Sequence, residues 1–162
     1  MKRFFSILAV CILTLTSWLA TDANAQNKMF SKYKDMDDVE YICITKSMLR
    51  LLGTGSATIN GVHIDGITKA INVVLIINSE SDKAGTMMKN DFAALSADPN
   101  YEMLMEVKGD GERISTLLNA SNPVKEVVMF VDGQEANDEQ VFIVLTGKFT
   151  DEQLAKLLNG NK

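Results

Sequence analysis

The sequence predicts an α+β domain: a single mixed, largely antiparallel sheet with about three helices packed against it. Three observations predict it. Strand-like and helix-like runs alternate through the first half, then four strand-like runs follow one another and a helix-like run closes the chain. The links among those four runs are short and polar, as in a meander of antiparallel strands. Ile71 to Ile77 is an unbroken apolar run rich in β-branched residues, which fits a central strand covered on both faces.

The elements follow in order. Lys2 and Arg3 precede an apolar run from Phe4 to Leu19, which ends in the small residues Ala23-Asn24-Ala25. That pattern reads as a secretory signal peptide over residues 1–25, cut after Ala25. The run is shorter than a comfortable membrane span and Thr14, Thr16 and Ser17 dilute it. Cys11 sits inside the run behind Val10, a poor lipid-attachment box. The expected location is therefore the periplasm or outside the cell, with no integral membrane span after cleavage. Residues 26–38 read as an N-terminal arm or a frayed helix, and 39–162 as a single α+β domain.

Within that domain the first strand is Val39 to Ile44. Thr45 then caps a short helix through Leu52, with Gly53 as its stop and Met48, Leu49, Leu51 and Leu52 as its apolar side. Gly53 to Gly61 is a Gly/Ser/Thr-rich connection, and residues 62–70 hold a helical turn. A second helix begins at Ser79, with Asp82 as reciprocal cap and Ala84, Met87, Met88, Phe92 and Leu95 as one face. Asp98-Pro99 ends it.

Tyr101, Met103, Met105 and Val107 then alternate with Glu102, Leu104 and Glu106, which puts the first set inward and both glutamates on one face. Gly109-Asp110-Gly111 turns the chain into a weaker strand, Arg113 to Leu118. Strands follow at Val127 to Val131 and Val141 to Thr146, joined by the acidic loop 132–140. Thr150 and Gln153 form a capping box for the last helix, Phe149 and Leu154 its hydrophobic staple, and Leu154, Leu157 and Leu158 its inner face.

Composition narrows the function. Lys and Arg total 16 against 21 Asp and Glu, a net charge of −5, and loss of residues 1–25 removes more basic than acidic charge. Such a surface argues against nucleic-acid partners and against docking on anionic lipid. Cleavage would also remove Cys11 and leave Cys43 alone, so no disulfide can form within the domain. Between Ile42 and Ile44, Cys43 reads as a buried, inert thiol.

No grouping reaches the standard of an active site. One His and one mature Cys do not make a zinc centre, and the stretch Asp132 to Glu139 lacks the spacing of an EF-hand loop. The fragment Gly53-Thr54-Gly55-Ser56 resembles a phosphate loop only in composition. No catalytic, metal or cofactor-binding residues are therefore expected, and no cofactor. The alternative is a small-ligand or weak hydrolytic cleft beside the 53–66 loop, with His63, Asp65 and Ser56 as its residues. Met87, Met88, Met103, Met105 and Met129 read as core filling, unless they emerge as a patch.

Four motifs point to a family. They are Ile44-Thr45-Lys46-Ser47-Met48-Leu49, the strand Tyr101 to Val107, the strand Val127 to Val131, and Leu145-Thr146-Gly147-Lys148-Phe149-Thr150. Together they resemble DUF4252, a domain of unknown function in short exported proteins of Gram-negative bacteria. The resemblance runs from about Asp37 to Leu158. It implies export to the periplasm or cell envelope and, through an association with extracytoplasmic-function sigma factors, a stress-response setting. It implies no activity and no catalytic residues. The resulting expectation is a non-enzymatic envelope protein that binds an unknown protein partner, with an envelope stress circuit as its candidate setting.

Overall fold

The computed structural model describes residues 29–51, 58–59, 62–63, 67–109, 111–120, 124–133 and 138–159. They divide into two units, one ending at Met36 and one beginning at Asp37. In the first unit residues 29–31 are helical and run into a 3-10 helix, Lys32–Asp35.

The second unit is built on eight strands and three α-helices among the described residues. The strands are β1 (Glu40–Thr45), β2 (Thr58–Ile59), β3 (Val62–His63), β4 (Ile71–Ser79), β5 (Tyr101–Gly109), β6 (Glu112–Asn119), β7 (Lys125–Gly133) and β8 (Gln140–Gly147). The helices are α1 (Lys46–Leu51), α2 (Asp82–Ala97) and α3 (Asp151–Asn159). With the 3-10 helix this makes four helical segments, one more than expected.

Six strands form one sheet in the order β1-β4-β8-β7-β6-β5, while β2 and β3 pair only with each other. Every pairing in the large sheet is antiparallel, so the sheet is not mixed. The reason lies in the crossover. A helix between strands commonly joins parallel neighbours. Here α2 carries the chain from β4 to the far edge, and the meander β5 to β8 returns to pair β8 against β4. The predicted meander and the inner position of Ile71 to Ile77 are both present.

Cross-strand partners point to the same face, which sorts the core into two layers. On one face Val74 lies opposite Leu145, and Ile76 opposite Ile143, packed with Leu49 of α1 and Leu154 and Leu157 of α3. On the other face Phe130 and Phe142 stand opposite each other at 4.7 Å, and Phe92 of α2 stacks on Phe130 at 5.0 Å. Ala84, Met88 and Leu95 of α2 are buried with them, as the helical spacing requires.

Three local readings need correction. Residues 58–59 and 62–63, read as parts of a connection and of a turn, pair with each other as the strands β2 and β3. Among the described residues of 62–70 the predicted turn lies at 67–70, where the N–H groups of Ala70 and Ile71 both donate to the Ile67 carbonyl. Ser79 ends β4 and does not start α2. Its hydroxyl donates to the Asp38 carbonyl at 2.6 Å and accepts the Ser81 N–H at 3.0 Å.

The largest correction concerns β5. The pairing slips between Met103 and Met105, leaving Leu104 as an extra residue. One added residue moves everything beyond it to the opposite face. Tyr101 and Met103 therefore share one face, while Met105 and Val107 occupy the other. Glu102 and Glu106 are likewise on opposite faces and are not a paired set. Only Tyr101 is buried; Met103 and Val107 are 44% and 50% exposed.

The final helix matches its reading closely. Gln153 N–H donates to Thr150 Oγ1 at 3.2 Å, and Thr150 N–H donates to Gln153 Oε1 at 2.9 Å. Phe149, Leu154 and Leu157 are buried beneath it.

Candidate functional site

Among the described residues the two end strands of the large sheet, β1 and β5, each pair on one side only, but they differ in chemistry. An edge strand presents unpaired backbone N–H and C=O groups, and proteins blunt such edges with bulges and charges. The β5 edge has both devices: the bulge at Leu104, and the exposed Glu102, Glu106 and Lys108. The β1 edge, Glu40-Tyr41-Ile42-Cys43-Ile44-Thr45, has a regular register against β4 and one charged residue.

The apolar side chains exposed around β1 set it apart further. Ile42 is 37% exposed, and on α1 Met48 is 49% and Leu51 83% exposed. Cys43 is exposed as well, which overturns the buried-thiol reading. The cause is positional. Alternation between Ile42 and Ile44 suggests a covered strand, but among the described residues β1 ends the sheet and has a neighbouring strand on one side only. The same holds for α1. Leu49 alone reaches the core, and a six-residue helix at a sheet edge leaves its other apolar positions outside.

The chain holds this edge firmly at both ends. At the start, Asp38 is tied to Ser79 through its carbonyl, and a hydrogen bond from Ser81 holds its carboxyl below the usual range. At the end, Lys46 Nζ donates to Asn72 Oδ1 at 3.2 Å, and Arg50 to Ser47 Oγ at 3.3 Å. Partial burial pushes the Tyr41 phenol up, and charge on the neighbouring Cys43 adds to the effect. A pre-ordered strand lowers the conformational cost of adding another strand beside it.

Ser56 and Asp65 lie outside the described residues. His63 closes β3 opposite Thr58, and its side chain lies outside them too. A cavity among the described residues lies at the turn end of the meander. It measures about 350 Å³ and is lined by Gly111, Glu112, Val131, Gly133, Asp138, Glu139 and Val141. Beside it Lys89 pairs with Asp132 at 2.9 Å, so part of the acidic 132–139 stretch is neutralised by α2. Residues 134–137 of that stretch lie outside the described residues. Among the described residues no three His, Cys, Asp or Glu side chains converge as a metal-binding group.

Met87, Met88, Met103, Met105 and Met129 do not emerge as a shared exposed patch. Of the five on α2, β5 and β7, Met88 is fully buried, Met87, Met105 and Met129 are half-buried, and Met103 is exposed. One polar cluster was not signalled by sequence. Tyr101, Asn119 and Glu126 occupy one row across β5, β6 and β7 and are all buried. The Tyr101 hydroxyl donates to Glu126 Oε1 at 2.5 Å. Burial raises the Glu126 carboxyl above its ordinary range, and that hydrogen bond opposes the rise only in part. Glu126 merely precedes an apolar run, so only pairing with β5 and β6 reveals its setting.

Among the described residues no helix is long and apolar enough to cross a membrane. No curated protein matches the chain. Residues 33–157 match the family described as Domain of unknown function (DUF4252), which takes in every strand of the large sheet, and the chain belongs to that family.

Proposed function

We propose that this chain is an exported, non-enzymatic envelope protein that works by binding another protein, with an envelope stress circuit as its setting. One observation carries the binding role: β1 is an unblunted edge strand flanked by the exposed apolar side chains of Ile42, Met48 and Leu51. A partner would add a strand to β1 through main-chain hydrogen bonds, and those side chains would supply the apolar contact. The basic start, the apolar run and the small residues before Gln26 support export.

The test is capture from an envelope extract of the host with the tagged protein, compared with Ile42→Lys. A charge in the middle of the edge should abolish a reproducible capture while leaving the thermal melt unchanged. Equal capture by both proteins, or unaltered envelope-stress responses after deletion of the gene, would remove the proposal.

A further inference from the structure

We infer that the buried row Tyr101–Asn119–Glu126 is a latch on the β5 end of the sheet, closed while the Glu126 carboxyl is protonated and released when it ionises. The latch lies at the end of the sheet opposite β1 and does not depend on the binding role proposed for that edge.

The geometry carries the inference. β5 and β7 are two strand spacings apart, about 10 Å, so the Tyr101 phenol and the Glu126 carboxyl meet over β6, in the row of Asn119. Tyr101 is the one fully covered side chain on β5. Lifting the start of that strand therefore brings water to Glu126 and uncovers little else. The bulge at Leu104 breaks the ladder just beyond, so residues 101–103 can part from β6 without unzipping 105–109. A strand with so few buried contacts belongs to the part of a fold that opens at low cost.

The surroundings of Glu126 make that opening respond to pH. Across the sheet it faces Asn119 of β6 and Thr146 of β8, and neither titrates. α2 covers the same face with Ala84, Gly85, Met88 and Leu95 buried, all uncharged. Its charged residues are Asp82, Lys83, Lys89 and Asp91, of which Lys89 is paired with Asp132. Asp98, ahead of β5, holds the Asn100 N–H. Lys125, next along β7, points to the opposite face and pairs with Asp151 at 2.8 Å. Burial therefore dominates and raises the carboxyl, and the hydrogen bond from the Tyr101 phenol offsets part of the rise. Among the described residues no cation enters that balance. The ionised carboxylate is better solvated with β5 lifted. Between the ordinary carboxyl pKa of the open state and the raised one of the closed state, the open population grows about tenfold per pH unit. Above the closed-state value it levels off.

Hydrogen–deuterium exchange of the full chain, read by mass spectrometry in segments 98–105 and 71–79, tests the latch between about pH 4 and pH 8. Glu126→Gln is measured at each pH, so the intrinsic pH dependence of exchange cancels. The ratio of wild-type to Glu126→Gln rates at 98–105 should climb about tenfold per pH unit and then flatten. Small additions of urea should speed exchange at 71–79 and leave 98–105 unchanged, the mark of a local opening. Tyr101→Phe removes the offsetting hydrogen bond and should move the flattening to higher pH. A merely structural role for Tyr101 would multiply the rate by one factor at every pH. A ratio that does not vary with pH, a 98–105 segment that responds to urea as 71–79 does, or a flattening that Tyr101→Phe leaves in place would each overturn the inference. If Glu126→Gln does not fold, the shift between wild type and Tyr101→Phe decides it.

Discussion

Gly147 closes β8 at the point where the chain passes closest to the 67–70 turn, and replacing it with alanine tests how rigid that passage is. A Cβ at residue 147 would lie 2.2 Å from the Ala70 carbonyl oxygen, 2.9 Å from Phe149 Cζ and 3.0 Å from the Ala70 carbonyl carbon, where ordinary contact begins at 3.4 Å. The Phe149 ring is the end of a flexible side chain, but it is buried and packed in the core. The Ala70 carbonyl is held by the Lys148 N–H at 2.9 Å, and the Ala70 N–H by Ile67 at 2.8 Å. The backbone must therefore move and loosen those bonds. Overpacking of this kind costs about 1–3 kcal/mol, and a weakened hydrogen bond adds about 1. The lower entropy of the unfolded alanine chain returns about 0.4–1 kcal/mol, leaving a net loss of about 2. For a domain of this size that lowers Tm by about 8 °C. A melt followed by circular dichroism measures it, with Gly109→Ala as control, because a Cβ there meets nothing within 4 Å. A Gly147→Ala melt within about 1 °C of the wild type would refute the reasoning.

Glu126→Gln should stabilise the protein increasingly as pH rises. Its folded pKa is raised by burial, so its contribution is fully present below the unfolded pKa and is lost as pH climbs through the folded one. Each pH unit between the two is worth about 1.4 kcal/mol. Asp151 and Glu152, held low by Lys125 and Lys156, act in the opposite sense in both proteins and cancel in the comparison. Urea melts of the two proteins between about pH 4 and pH 7 should diverge upward, and a constant gap would count against the buried carboxyl. Thr150→Ala removes the acceptor for the Gln153 N–H and should cost about 1 kcal/mol in the same assay, while Thr150→Ser should restore most of it.

Much of this fold can be read locally because its signals are local. The run Ile71 to Ile77 has no polar side chain except Asn72, and a segment that apolar has only an inner position open to it. Thr150 and Gln153 meet across one helical turn, so the spacing alone carries the cap. The failures are where the decisive neighbour is distant in sequence. Nothing near Leu104 announces the bulge; it follows from pairing with Leu117 and Thr116 of β6. Cys43, Met48 and Leu51 look covered because apolar alternation does not reveal that β1 is the last strand of its sheet. The candidate binding edge was invisible for that reason: it is defined by a missing neighbour.

The order of synthesis gives the sheet topology a cost in time. The Ile71 to Ile77 run takes β1 as one neighbour, already made, but its other neighbour is β8, the last strand to emerge. About seventy residues separate the two, roughly 4 to 14 s of translation at ordinary rates. Throughout that interval this apolar, β-branched segment has one bare flank. A protein with this strand order benefits from being kept unfolded until it is complete, and passage through an export channel as an extended chain would do that.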